Sequence, residues 1–144
     1  MAEPATGLDW GREVPFVTHL GFQLRQWDEH GAEIAYEARP EHLNSLGITH
    51  GGACMTLLDV ALARAARGAV QDLSVVTVEL KTTFMRPAKG PLLARAQLLH
   101  RTDSLGFVEG RILDAHGRVC AHATGTFRYV RRHAPAAPQP GGSD

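Results

Sequence analysis

One stretch constrains this chain more than any other: HGGACMTLLDVALARAARG, His50 to Gly68. Almost every residue from Ala53 to Ala63 is small or apolar, and a single charge, Asp59, breaks the run. Thr49 or His50 stands at its start, and Gly68 stands at its C-terminal boundary, where glycine commonly ends a helix. About 16 residues at a rise of ~1.5 Å give a helix of roughly 24 Å. Apolar residues cover nearly its whole circumference as far as Arg64. A helix without a solvent face has to be wrapped by other structure.

The rest of the chain supplies a wrapping. Pro15, followed by Phe16, Val17 and Leu20, starts a short helix. Residues 22–29 and 32–38 alternate in polarity and form a hairpin across His30-Gly31. Arg39-Pro40 and the polar loop EHLNSLGIT lead into the long helix. Beyond it everything reads as strand: 75–85, 91–100, 105–113 and 118–130, joined by RPAKG (86–90), the turn after Arg101, and Asp114–Gly117. Leu92, Ala94, Ala96 and Leu98 face one way, and Arg95 and Gln97 the other. With no βαβ alternation and no internal repeat, the fold is expected to be α+β, an antiparallel sheet wrapped around one long helix. The domain is expected to span 14–131, between a flexible segment 1–13 and a disordered Pro/Gly-rich tail, 132–144. A single such layer leaves edges and an outer face to cover, which implies a homodimer or larger.

Composition narrows the function. The 144 residues suit one domain with a real core. Lys+Arg and Asp+Glu are both 15, which gives no reason to expect nucleic acid or an anionic membrane as partner. No apolar run approaches the ~20 residues of a membrane span. The N-terminus lacks the basic start and apolar core of a signal peptide, so a cytoplasmic protein is expected. Cys54 and Cys120 read as small buried thiols. The eight histidines are scattered singly, and no metal is expected.

Asp59 is the costly residue. A carboxylate buried without donors loses hydration worth several kcal/mol, so it must raise its pKa or find partners. The residues alone leave two roles open: a structural pairing, for example with Arg64, or chemistry. Gly51 and Gly52 open the same helix, where free N–H groups and the helix dipole favour a developing negative charge. Glycine there lets a ligand approach the backbone closely.

Taken together, Asn44, His50-Gly51-Gly52, Asp59, VTVELKTTFMRPAKG (76–90) and GRVCAHATGTF (117–127) resemble the hotdog-fold acyl-CoA thioesterases. The similarity is strongest to the phenylacetate-degradation and 4-hydroxybenzoyl-CoA thioesterase types, and it covers roughly residues 14–130. The resemblance implies hydrolysis of an acyl-CoA to free acid and CoA, with coenzyme A as part of the substrate and no separate cofactor. It implies that Asp59 attacks the thioester or activates water, and that the Gly51 amide holds the oxyanion. It places His50, Asn44 and Gly52 around the site, and Thr77 beside the carboxylate to hold the water. It puts the CoA nucleotide near Arg86, Pro87 and Lys89 and near Arg101 and Ser104. Gly51 and Asp59 are eight residues apart, about 12 Å along one helix, too far to touch one carbonyl. The site is therefore expected to be shared between subunits of a homodimer, itself expected to pair into a tetramer. Two other readings use the same residues. A hotdog hydratase or dehydratase would pair a His with a carboxylate, but His50 is followed by two glycines instead of that family's usual sequence. A non-catalytic acyl-CoA-binding protein would have no use for Asp59.

Overall fold

A computed structural model describes residues 13–68 and 72–131. The expected segments 1–13 and 132–144 therefore lie outside the described residues, apart from Glu13. Chain order is α1 (Pro15–Leu20), β1 (Gln23–Trp27), β2 (Gly31–Glu37), a 3-10 turn (Pro40–His42), α2 (Gly51–Arg67), β3 (Leu73–Phe84), β4 (Pro91–Arg101), β5 (Leu105–Leu113) and β6 (Val119–Arg131). The strands form one six-stranded antiparallel sheet in the order β1-β2-β4-β5-β6-β3. No described helix is long and apolar enough to cross a membrane.

The alternation read from the sequence explains why one face of this sheet takes the helix. Ala32, Ala96, Gly110 and Ala123 lie in register across β2, β4, β5 and β6. This row of small side chains makes a trough, and α2 lies in it with Leu57, Leu58, Ala61, Leu62 and Ala65 fully buried. The fit is tightest at Gly110, where a Cβ would stand 2.6 Å from Leu62 Cδ1 and 2.9 Å from the Arg95 carbonyl. Glycine is needed there to let the helix approach, not to make a turn. The outer face carries the polar half of each strand, including the pair Arg95–Glu33 at 2.8 Å.

Both ends of α2 are closed locally. His50 is the N-cap, and its Nδ1 accepts the Gly52 N–H. At the other end Gly68 takes φ 58°, a value that favours glycine. Trp27 Nε1 donates to the Gly68 carbonyl at 3.1 Å, and the Arg64 guanidinium lies 3.7 Å over the Trp27 ring. Arg64 and Arg67 in the last turn also suit the negative end of the helix dipole.

Within one chain the helix is not wrapped all round: Gly52 and Met55 are exposed, and Thr56, Asp59 and Ala63 on the same strip are only partly covered. Beside this strip runs β3, which pairs with β6 alone and leaves its other edge open. Val76 (48% exposed), Val78 (60%), Phe84 and Met85 crowd that margin. The sequence places the apolar residues correctly. The wrapping they call for is incomplete within one chain, because six strands curl around only part of the helix.

Candidate active site

Asp59 sits on the uncovered strip of α2, partly exposed, and so escapes the full desolvation that a buried carboxylate would suffer. Its partner is not Arg64. Thr77 Oγ1 on β3 donates to Asp59 Oδ1 at 2.7 Å. A charge-assisted bond of this length holds the carboxylate in one orientation. Oδ2 has no hydrogen bond among the described residues and remains available to a water.

Thr77 reaches Asp59 because β3 is irregular. Read with strict period two, Thr77 would share its face with Glu79 and Lys81. The register shifts between Thr77 and Glu79, with Val78 as the extra residue. Thr77 pairs with inward Phe127, after which Leu80 and Thr82 pair with inward Gly125 and Ala123. Glu79 and Lys81 turn outward opposite Thr126 and Thr124. A bulge inserts one residue and so flips the side-chain phase of everything after it, which re-aims side chains beside a site. Thr77→Val keeps the shape and removes the donor. Loss of one such bond leaves the carboxylate less constrained, and a roughly 10- to 150-fold fall in thioester kcat is expected, from the ~1.5–3 kcal/mol of a hydrogen bond to a charged group. Steady-state thiol release checks it; an unchanged kcat would make Thr77 an ordinary strand residue.

At the helix start, the Ala53 and Cys54 N–H groups donate to the His50 carbonyl, and Gly52 N–H goes to His50 Nδ1. The Gly51 N–H has no partner among the described residues, and Phe84 stands against Gly51, with its ring 3.4 Å from where a Cβ would be. A free N–H at the positive end of a 17-residue helix is suited to an oxyanion. Because His50 Nδ1 accepts a backbone N–H, the neutral ring carries its proton on Nε2, so that edge donates and does not act as a base. Asn44 Oδ1 accepts from Leu46 N (2.9 Å) and Ile48 N (3.3 Å), holding the loop before the helix.

The five nucleotide candidates do not come together within one chain. Arg86, Pro87 and Lys89 follow β3; Arg101 ends β4 and Ser104 follows it, at the other end of the sheet. β4 has 11 residues, which at ~3.3 Å each separates the two turns by roughly 35 Å. Arg86 Nη1 donates to the Val119 carbonyl, and Arg101 stacks 4.4 Å over Tyr129. Ser104 accepts the Tyr129 N–H through its backbone carbonyl.

Sequence reasoning passed over His42. It is 9% exposed, stacks on Tyr36, and accepts the His50 N–H through its carbonyl at 2.9 Å. His42, His50, Gly52, Phe16 and Leu20 line a cavity of about 210 Å³ at the start of α2. A larger cavity, about 420 Å³, lies over the polar outer face among Glu33, Arg95, Glu109, Arg111 and His122. The sheet separates it from Asp59. Burial pushes the Cys54 thiol up to about 11 and the Cys120 thiol also upward, so neither supplies a thiolate nucleophile at neutral pH.

The model of the thioesterase superfamily matches residues 46–121, which runs from the loop before α2 through the first part of β6. That is more than half of the chain. The chain belongs to the thioesterase superfamily. A provisionally named esterase of Saccharolobus solfataricus is 33% identical over 121 residues, 83% of this chain and 81% of the relative. Among solved structures, the PaaI protein of the E. coli phenylacetic acid degradation operon is similar with a TM-score of 0.75 at 26% identity, covering 80% of this chain and 83% of that one. A thioesterase of Haemophilus influenzae shares the fold, with a TM-score of 0.76 at 18% identity over 85% of this chain and 87% of that one. The hotdog fold expected from the sequence is the fold found, and membership of the superfamily makes the protein a hydrolase of the thioesterase kind.

Proposed function

We propose that this thioesterase hydrolyses acyl-CoA to free acid and CoA, with each site built from two copies of the chain. The observation that carries the reading is the Thr77–Asp59 hydrogen bond on a strip of α2 left uncovered beside an open apolar strand edge. The Gly51 N–H of one protomer holds the thioester carbonyl. Asp59 of the partner subunit takes a proton from water as the water oxygen attacks the carbonyl carbon. The tetrahedral oxyanion collapses, the C–S bond breaks, and the CoA thiolate leaves and takes up a proton. Alternatively, Asp59 attacks directly to form a mixed anhydride that water then cleaves. Thr77 orients the carboxylate in either case, and the His50 Nε2–H points a donor at the substrate.

Antiparallel pairing of β3 edges about a two-fold axis supports the shared site. It would bury Val76, Val78 and the uncovered strip, and it would bring the Arg86–Lys89 turn to the same end of the joined sheet as the partner's Arg101–Ser104 turn. This gives the separated nucleotide candidates one CoA to share. Pairing into a tetramer remains part of the proposal, with the polar outer face as one available surface.

Edge charge tests the proposal. The double variant Val76→Lys/Val78→Lys places like charges where two β3 edges would meet, which opposes strand pairing. Light scattering should show a monomer, and thiol release from a panel of acyl-CoAs should fall about 100-fold or more, since each site loses half its groups. A folded monomer that hydrolyses as fast as wild type would sink the shared site. A wild-type protein that binds CoA but releases thiol from no member of the panel would instead favour the non-catalytic binding reading.

A further inference from the structure

The open strand β3 carries two charges that the chemistry leaves unused. Glu79 and Lys81 are exposed on the outer face, opposite Thr126 and Thr124 of β6. Neither has an ion-pair partner among the described residues. Leu80 between them faces inward, opposite Gly125, and is only half-buried. The edge thus presents an acid and a base on one face, two residues apart, with an apolar residue between them on the other.

Two contacts tie α2 to β3, and they bracket this triplet. Thr77 donates to Asp59 at 2.7 Å, and the Phe84 ring lies against Gly51. A two-fold axis that brings Gly51 of one copy to Asp59 of the other exchanges these two contacts. It therefore passes β3 midway between Thr77 and Phe84, at Leu80 or Lys81, and passes α2 midway between Gly51 and Asp59, at Met55. Met55 is 39% exposed on the uncovered strip, where its own copy would cover it. Opposed residues of antiparallel strands share a face, so outward residues meet only outward residues. Pairing centred on Lys81 sets two ammonium groups face to face, and pairing centred on Glu79 sets two carboxylates face to face. Pairing centred on Leu80 sets each Glu79 opposite the partner's Lys81. Like charges directly opposite destabilise a strand pair and opposite charges stabilise it, so charge selects the third register.

We propose that two copies join at β3 in a single register, with Leu80 on the two-fold axis and each Glu79 paired with Lys81 of the partner subunit. The proposal rests on the shared-site reading for the joining of the edges, and not on the hydrolysis itself. Slipping to the next register moves the partner by two residues, roughly 7 Å. That displacement carries Asp59 away from the partner's Gly51 amide, whereas reacting groups must be held within about 3–3.5 Å of one another. Glu79 and Lys81 are therefore positioning residues for a site that neither touches.

Charge reversal tests the register. Glu79→Lys and Lys81→Glu each turn both ion pairs into like-charge pairs. At low salt each should raise the dimer Kd about 10- to 100-fold, because two pairs invert at once. Dilution of protein labelled at its N-terminus with donor and acceptor dyes reads the Kd. High salt should shrink the effect. The double variant Glu79→Lys/Lys81→Glu restores opposite charges and should return to within about 3-fold of wild type. Glu37→Lys makes the same charge change on the exposed end of β2, away from the edge, and should dimerise like wild type. Thiol release by the single variants should fall at low protein concentration and recover at high concentration, as the dimer re-forms. Both side chains are exposed, so the variants should fold, and circular dichroism checks this; if a reversal does not fold, Glu79→Gln and Lys81→Gln should each still raise the Kd about 3- to 10-fold. Single variants that dimerise as tightly as wild type overturn the proposal, since either neighbouring register predicts that result, and so does a double variant that fails to recover. In an active dimer such results leave the shared site standing. An active protein that stays monomeric removes the shared site and the register together. A dimer whose Kd follows the charges but which cleaves no acyl-CoA upholds the register and removes the hydrolase reading.

Discussion

Asp59→Asn should leave a folded protein whose thioester kcat falls by roughly 10²- to 10⁴-fold, the range set by removal of a positioned base or nucleophile. The substitution keeps the shape and still accepts the Thr77 hydrogen bond at 2.7 Å, so packing against β3 is preserved. What is lost is the negative charge that draws a proton from water or attacks the carbonyl carbon. KM should change little, since Asp59 is not asked to bind CoA. Single-turnover thiol release, with circular dichroism to confirm the fold, measures both. Hydrolysis at the wild-type rate would remove Asp59 from the chemistry and return it to a structural pairing with Thr77. A mixing experiment separates the shared site from a site within one chain. Asp59→Ala protomers are combined with protomers inactivated at the helix start by Gly51→Pro, which removes the N–H. Heterodimers should regain part of the activity, because one of their two sites carries both an intact Gly51 amide and an intact Asp59. No recovery despite confirmed subunit exchange would argue that both groups serve one chain.

Leu62→Ala should be the most damaging single change to the fold. Leu62 is fully buried, and its Cδ1 and Cδ2 fill the space left open by Gly110 and Gly125. Loss of a core leucine removes its transfer free energy and leaves a cavity that the rigid sheet cannot close, about 2–5 kcal/mol in all. For a chain of this size that corresponds to a fall in Tm of roughly 5–15 °C. Thermal unfolding followed by circular dichroism gives the number. A change under about 1 kcal/mol would mean that the trough of small residues closes over the gap, contrary to the packing described. Because Leu62 faces the sheet and Asp59 the open strip, the residual folded protein should keep its catalytic rate.

Much of this was legible beforehand for a local reason. Alternation in 91–100 and 105–113 assigns Ala94, Ala96, Val108 and Ile112 to the core, and each is buried. Side-chain phase along a strand is set by the chain itself as long as the strand stays regular. The long helix announced itself through its apolar residues and through the glycines at its ends. The HGG–Asp spacing was likewise readable, since rise per residue converts sequence separation directly into distance.

Where local patterning fell short, the cause was pairing over long separations. The family resemblance put Thr77 beside Asp59, but strict alternation put Glu79 and Lys81 on the same face; the bulge at Val78, set by the register of β3 against β6 some fifty residues away, turns those two outward. Asp59 escapes deep burial because β3 ends the sheet as an edge, a consequence of strand order that no local pattern encodes. His42 looked like one more isolated loop histidine; its committed Nδ1 arises from Tyr36 and Arg39 converging on it. The sequence by itself determined the elements, the residues of the core and the two ends of α2, because periodicity and helical rise are local properties. Only the tertiary structure decided which of those residues touch and which stay open to a partner, because hydrogen-bond register and strand order are settled between segments far apart in the chain.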